Sequence, residues 1–385
     1  MLVTGMRVTG DWISSEPLQR LLRCLTAGGH VALLVGGCVR NDLLGQPVAD
    51  IDIATDALPL RVVELASGAG FRTVPTGIDH GTVTVIADGE PHEVTTFRRD
   101  VETDGRRAVV AFTEEVTEDA ARRDFTMNAL YADAEGNILD PIGGVADLRA
   151  RRVRFVGEPE ARIREDYLRI LRFFRFHAWY GDPAEGPDPD ALAACAALSA
   201  GLEPLSKERI GHEMRRLLAA PDPTPALAAM QASGVLARVL PGADTRMIGP
   251  LVHVEDGLPP VWLRRLAALG GTSPDAALRL SRDETRRLAQ MTEFTGSDDG
   301  PEVLGYRIGA DAGRDVLLLR AAMSGQPLPE AWQHGLARGA TARFPVTSAD
   351  LRPAFSGPAL GQRLHALEER WIASGFRLSR EQLLA

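Results

Sequence analysis

The sequence predicts an α+β protein in which an N-terminal α/β head with a mixed sheet precedes an all-helical remainder. Three observations carry this. Residues 1 to about 150 alternate strand and helix patterns, strand patterns fade from about Arg151 onward, and Gly/Pro breaks split the later apolar periodicity into helix-sized pieces. The chain has 385 residues, room for two or three domains. Its 45% hydrophobic and 25% charged content is that of a folded globular protein, not a disordered one.

In chain order, His30 to Val35 reads as a buried strand ending at Gly36-Gly37. Asp50 to Ala54 alternates with period two, and Leu58 to Ser67 is helical. Phe71 to Val74, Gly81 to Ala87 and His92 to Phe97 are strand-like. Glu118 to Tyr131 reads as a charged helix, and Gly143-Gly144 breaks the chain before Val145 to Arg151. Pro159 to Trp179 reads as one long helix, followed by a Pro/Gly/Asp linker at 181–190. Asp190 to Ala200, Lys207 to Leu218 and Thr224 to Ala232 are helical, and amphipathic helices follow from Pro259.

Composition excludes several classes. No apolar run approaches the ~20 residues that cross a bilayer, so no membrane association is expected. The first residues lack the apolar stretch of a secretory signal. Cys24, Cys38 and Cys195 are odd in number and far apart, which suits reduced thiols and a cytoplasmic protein. The net charge of -9 argues against bulk electrostatic attraction to nucleic acid, yet leaves room for a local basic track. Lys207 is the only lysine, so the cations are almost all arginine forks suited to phosphates and base edges.

Candidate chemistry lies in three places. Asp50 and Asp52, two apart in a strand pattern, would face the same way about 7 Å apart. Two such carboxylates repel unless a cation joins them, and hard oxygen donors suit Mg²⁺. Upstream, a strand runs into Gly36-Gly37 and then Cys38-Val39-Arg40-Asn41, where backbone amides and Arg40 could hold a phosphate. Glu93 lies in another strand and could bring a third carboxylate. Finally, Arg169, Arg172 and Arg175 recur every three residues after Asp166. A carboxylate acceptor beside an Arg donor complements the amine-plus-bare-nitrogen edge of adenine and cytosine and mismatches uracil and guanine. Asp166 and Arg169 supply that pair; the competing reading is a solvated, ion-paired helix face.

These segments resemble a family. Gly36-Gly37-Cys38-Val39-Arg40-Asn41, Asp50-Ile51-Asp52, Arg122 to Ala129 (RRDFTMNA), Asp140-Pro141-Ile142-Gly143-Gly144, Glu165 to Arg169 (EDYLR) and Leu205 to Ile210 (LSKERI) occur in this order. Together they look like the motifs of class II tRNA nucleotidyltransferases (CCA-adding enzymes) and bacterial poly(A) polymerases, of the DNA polymerase beta superfamily. The resemblance covers residues 28 to 220 and implies a catalytic head (1–150), a helical neck that templates the base (151–222) and a helical body and tail that grip tRNA (223–385). It implies that Asp50 and Asp52 bind Mg²⁺, with Glu93 as the third carboxylate. Gly37 and Arg40 would hold the triphosphate, Arg123 would contact nucleotide, and Asp124 and Asn128 would organise the same region and the sugar. Asp166 and Arg169 would select the base, with Arg172 and Arg175 binding nucleotide or positioning that template. Arg98 to Val116 resembles the flexible loop that helps switch from C to A addition. Asn41 departs from the Asp the family usually carries. The implied reaction is attack of a tRNA 3′-hydroxyl on the α-phosphate of CTP or ATP, adding C, C and A. Poly(A) polymerases, which often have Pro where Tyr167 stands, and partial CC- or A-adding enzymes are the alternatives.

Overall fold

The computed structural model describes residues 2–104, 107–352 and 354–385. The described chain divides into two compact units, Met1–Pro241 and Gly242–Ala385.

The first unit is built on an eight-stranded mixed sheet. Its strands are β1 (Leu2–Arg7), β2 (Ala32–Val35), β3 (Asp52–Thr55), β4 (Arg72–Gly77), β5 (Thr82–Ala87), β6 (Glu90–Thr96), β9 (Tyr131–Ala132) and β10 (Asn137–Leu139). The order across the sheet is β1-β10-β9-β2-β3-β6-β5-β4. β3 and β6 run parallel at the centre, while β2 is antiparallel to both of its neighbours. Period-two alternation gives the sheet two different faces. Ile53, Val83, Val85 and Val94 are fully buried on one face, against α1 (Glu16–Ala27) and α3 (Pro59–Gly68). Leu33, Val35, Ala54 and Tyr131 form a second cluster on the other, with Ala120 and Ala129.

The 98–116 segment, which resembles a flexible loop in sequence, carries strands in its described part. It forms a separate two-stranded ribbon, β7 (Arg98–Asp104) and β8 (Arg107–Phe112), with residues 105 and 106 outside the described chain. Phe112 packs on Gly81 at the ribbon base: a Cβ on Gly81 would sit 2.8 Å from the ring.

Helix α2 (Gly37–Leu43) follows β2, and α4 (Val116–Ala121) and α5 (Gly144–Arg149) flank the sheet. Here the structure corrects one expectation. The charged helix expected over Glu118 to Tyr131 stops at Ala121; a short 3-10 turn (Thr126–Asn128) and strand β9 replace the rest. Asp124 accepts the Phe125 amide at 2.9 Å, and Phe125 is extended and bridges to Phe155, so local side-chain bonding and aromatic burial outcompete the helix.

A second correction concerns the long helix. It is two, α6 (Pro159–Glu165) and α7 (Leu168–Tyr180). Asp166 lies in the break with φ -154°, and its Oδ1 accepts the Leu168 amide at 3.1 Å, satisfying a donor at the start of α7. Tyr167 is fixed there because its ring covers Gly201, where any Cβ would collide. α8 (Pro189–Ala197), α9 (Lys207–Leu218), α10 (Thr224–Ala232) and α11 (Val235–Val239) complete the unit, with α9 and α10 packed on α7. Phe125, Phe155, Phe173 and Phe176 stack at centroid distances of 4.9 to 5.8 Å and join α7 to the sheet region.

The second unit is helical: α12 (Ile248–Val254), α13 (Trp262–Leu269), α14 (Pro274–Ala277), α15 (Arg282–Thr295), α16 (Pro301–Ile308), α17 (Ala310–Ser324), α18 (Trp332–Thr341), α19 (Ser348–Leu351), α20 (Gly357–Ala373) and α21 (Arg380–Leu384). α16 and α18 touch backbone to backbone, since Cβ atoms on Gly305 and Gly339 would strike the Leu336 and Glu302 carbonyls. Trp371, Leu367, Leu360, Val346, Leu351 and Leu383 form its terminal core. No described helix is long and apolar enough to cross a membrane.

Candidate active site

A cleft of about 680 Å³ in the first unit gathers most of the expected residues. Gly37, Arg40, Asp50, Asp52, Arg123, Asp124, Asn128, Arg172 and Arg175 line it. Residues far apart in the chain are thus brought to one wall, by a strand end, two turns and one helix.

The carboxylates sit where β2 and β3 separate. Val35–Asp52 is the last register pair, because Gly36 then turns the chain away at φ +72°. Asp50 therefore precedes the strand instead of lying in it, a correction to the period-two placement. Asp52 and Glu93 are register partners on parallel strands, so they rise from the same face. Burial, then Glu93 and Asp50, push the Asp52 carboxyl up to about 6, while Arg123 pulls the other way. Among the described residues no three His, Cys, Asp or Glu side chains are gathered closely enough to hold a metal ion as they stand.

The cations are held by different means. Arg123 is clamped from behind: its Nη2 donates to Asp119 Oδ2 at 2.9 Å and its Nε to the Tyr131 hydroxyl at 3.0 Å. Burial works against the charge, but Tyr131 and Asp119 keep the guanidinium above its usual range. Its Nη1 is the side-chain atom nearest the spot a Cβ on Gly36 would occupy, 3.6 Å away. Asp124 Oδ1 accepts from the Phe125 amide and from Asn128 Nδ2, both at 2.9 Å, and Oδ2 accepts from Arg172 Nε at 2.8 Å. Burial opposes its charge, yet Arg172 and Asn128 draw the carboxyl down to about 2. Asp124 thus ties α7 to the sheet domain and orients both Asn128 and Arg172.

Arg40 is buried and donates to Asn41, Asn128 and Tyr180. Arg175 lies 3.1 Å from Glu213. Burial pushes the Arg175 guanidinium down to about 10; Glu213 resists this, and the nearby Arg172 and Arg216 add to it.

Asp166 and Arg169 are not among the cleft's lining residues, and their side chains bond to other partners. Asp166 Oδ2 accepts from Arg209 of α9 at 2.7 Å, and the Arg169 guanidinium donates to Glu165 and to the Arg162 carbonyl. The expected carboxylate–arginine pair on one helix face is therefore a carboxylate in the helix break beside an arginine in the first turn, each with its own partner.

Sequence reasoning did not single out Asp119, Tyr131, Trp179, Tyr180 or Arg216. The i, i+4 spacing of Asp119 and Arg123 was a legible signal for the clamp. Tyr180 ends the apolar row Phe173, Phe176, Tyr180 at helical spacing, but only the fold sets it over Arg40.

Comparison with known proteins identifies the family. A family model for the poly A polymerase head domain matches residues 32–154, and one described as a probable RNA and SrmB-binding site of polymerase A matches 187–247. The chain is 33% identical over 391 residues to the mitochondrial CCA tRNA nucleotidyltransferase 1 of Mus musculus, covering 96% of this chain and 89% of that protein. It is 42% identical over 286 residues to the CCA-adding enzyme of Streptococcus gordonii, covering 71% and 70%. The crystal structure of the Bacillus stearothermophilus CCA-adding enzyme in complex with CTP superposes with a TM-score of 0.73 at 30% identity, covering 94% of each chain. With the cleft, the sheet and the ordered motifs on one scaffold, this chain belongs to the CCA-adding tRNA nucleotidyltransferase family.

Proposed function

We propose that this chain adds C, C and A to tRNA 3′ ends without a nucleic-acid template, transferring CMP and AMP from CTP and ATP and releasing pyrophosphate. The observation that carries the reading is the single cleft that joins Gly37 and Arg40, the Asp50/Asp52 pair and the Arg172/Arg175 row.

The roles are those the resemblance implies, and the shared cleft supports those of the residues that line it. Gly37 and Arg40 bind the triphosphate, and Arg123, Arg172 and Arg175 supply fixed positive charge that needs no reorganisation as negative charge develops on the phosphates. Asp124 and Asn128 hold Arg172 and Arg40 in register and border the sugar. Asp166 and Arg169 select the base, with Arg209 aiming the Asp166 carboxylate. The carboxylates offer only hard oxygen donors, and burial first, then Glu93 and Asp50, raise the Asp52 carboxyl, a cost that a cation would relieve. Asp50 and Asp52, aided by Glu93, would hold Mg²⁺, which when bound makes the attacking hydroxyl easier to deprotonate and neutralises the leaving pyrophosphate. Residues 1–150 act as the catalytic head, 151–222 as the base-selecting neck and 223–385 as the tRNA-gripping part. The three cysteines are free thiols, and we place the protein in the cytoplasm.

The test is incorporation of labelled CTP or ATP, with Mg²⁺, into tRNAs ending at the discriminator base, -C or -CC. Stepwise C, C, A is expected; homopolymeric A tails would favour the poly(A) alternative, and no incorporation would sink both. Asp50→Ala should abolish incorporation while leaving tRNA binding largely intact, and retained turnover would remove the metal assignment.

A further inference from the structure

We propose that Tyr180 is a polyphosphate-binding residue that works with Arg40 as one donor unit, its phenol fixing the guanidinium and offering its own O–H to a phosphate oxygen. The inference deepens the reading above and rests on it.

The argument begins with the partners of Arg40. Asn41 Oδ1 accepts from its Nε at 3.1 Å and its Nη2 at 2.8 Å. Asn128 Oδ1 accepts from Nη1, and the Tyr180 hydroxyl accepts from Nη2 at 2.8 Å. Every acceptor is neutral, although the side chain is only 7% exposed. The acid in reach, Asp124, has its oxygens engaged by Arg172, Asn128 and the Phe125 amide. A buried cation surrounded by neutral dipoles is costly until an anion joins it.

Tyr180 adds the second half. Its ring centroid lies 4.1 Å from the Arg40 guanidinium carbon, so the ring packs on the cation while the hydroxyl accepts from it. A hydroxyl that accepts still has its hydrogen to give. Among the described residues no side chain or carbonyl takes that hydrogen. Tyr180 and Gly37 line the same cleft, and Arg40 Nη2 is the side-chain atom nearest a Cβ built on Gly37. Arg40 Nη2 spends both its hydrogens on Asn41 and Tyr180, so beside this backbone turn the guanidinium supplies charge and the phenol O–H supplies the donor, with one Nη1 hydrogen left over after the bond to Asn128. Phenylalanine would give the same ring contact but neither accept from Nη2 nor donate to an anion.

The position is fixed by the chain on both sides. Tyr180 is the last residue of α7, and a Cβ on the following Gly181 would collide with His177 Nδ1, so the helix ends there. The Arg40–Tyr180 bond spans 140 residues and ties α2 to α7. What the pair recognises is the polyphosphate and not the base, so CTP and ATP should depend on it alike.

The experiment titrates the full chain, wild type and Tyr180→Phe, with CTP, ATP and inorganic tripolyphosphate in Mg²⁺ buffer, alongside steady-state CCA addition. Losing a hydrogen bond to a charged group should weaken all three ligands by about tenfold. KM for CTP and ATP should rise by the same factor, with the CTP/UTP preference and the KM for tRNA unmoved, a split that a merely structural role would not produce. Tripolyphosphate binding within twofold of wild type overturns the inference, and so does a defect confined to tRNA. If wild-type protein binds neither tripolyphosphate nor CTP, the nucleotide-transfer reading itself falls.

Discussion

In residues 242–385, buried arginines are answered by carboxylates. Arg264 and Arg265 are 1% and 2% exposed, and both donate to Glu255, at 2.8 Å from Arg264 Nε and 2.7 Å from Arg265 Nη2. Asp315 accepts from Arg264 at 2.7 Å. In the cleft of the first unit, Arg40 is nearly as buried but meets only amides and a phenol, and Asp52 faces Glu93 and Asp50 with Arg123 as the opposing cation. Both regions bury charge in sequence that is rich in arginine, and burial alone does not tell them apart. The sign of the neighbours does: compensated charge holds the second unit together, whereas uncompensated charge marks the place where a ligand completes the set.

The largest expected effect comes from breaking compensation. Glu255→Gln would replace the carboxylate between two buried guanidiniums by a neutral amide, leaving Asp315 as the acid on Arg264, and should cost about 3–5 kcal/mol by denaturant unfolding. CTP affinity in the native protein should be unchanged; a milder loss of stability would show that this network is not what holds the second unit together.

The cleft should respond with the opposite sign. The Asp52 carboxyl titrates near 6 in the folded chain against an ordinary 3.8, so the folded state binds more protons between those values. Without metal, stability should fall as pH rises from about 4 to about 6 and stay lower above it. Asp52→Asn should flatten that slope and, at pH 7, raise stability on the order of 1–2 kcal/mol while abolishing incorporation. Thermal unfolding across pH in chelator buffer checks both.

The smallest effect supplies Arg40 with an anion. Asn41→Asp places a carboxylate where Nε and Nη2 already point. It should stabilise the fold by up to about 1 kcal/mol and weaken tripolyphosphate about two- to fivefold. Tighter binding in that variant would invert the role of uncompensated charge in the cleft.

The division between what was legible and what was not follows the same physics. Gly36-Gly37, Asp50-Ile51-Asp52 and the Arg row are contiguous in sequence, so spacing alone displayed them. β2 was visible as an apolar run and β5 and β6 by their alternation, but β9 has two residues and β10 three, too short for any period. The break at Asp166 contains neither Gly nor Pro; it exists because one carboxylate caps Leu168 and meets Arg209 from another helix. Asp124–Arg172 and Arg40–Tyr180 span 48 and 140 residues, and no local pattern encodes them. Motifs named the site residues, while the partners that tune them came from tertiary packing.

Lys207 opens α9, exposed, two residues before the arginine that holds Asp166. It is also the one lysine in the chain. Acylating dyes and crosslinkers thus have a single side-chain amine to find, and it stands two residues from the Arg209–Asp166 contact. A fluorophore attached there reports on the joint between α9 and the helix break in the native sequence, with no engineered cysteine.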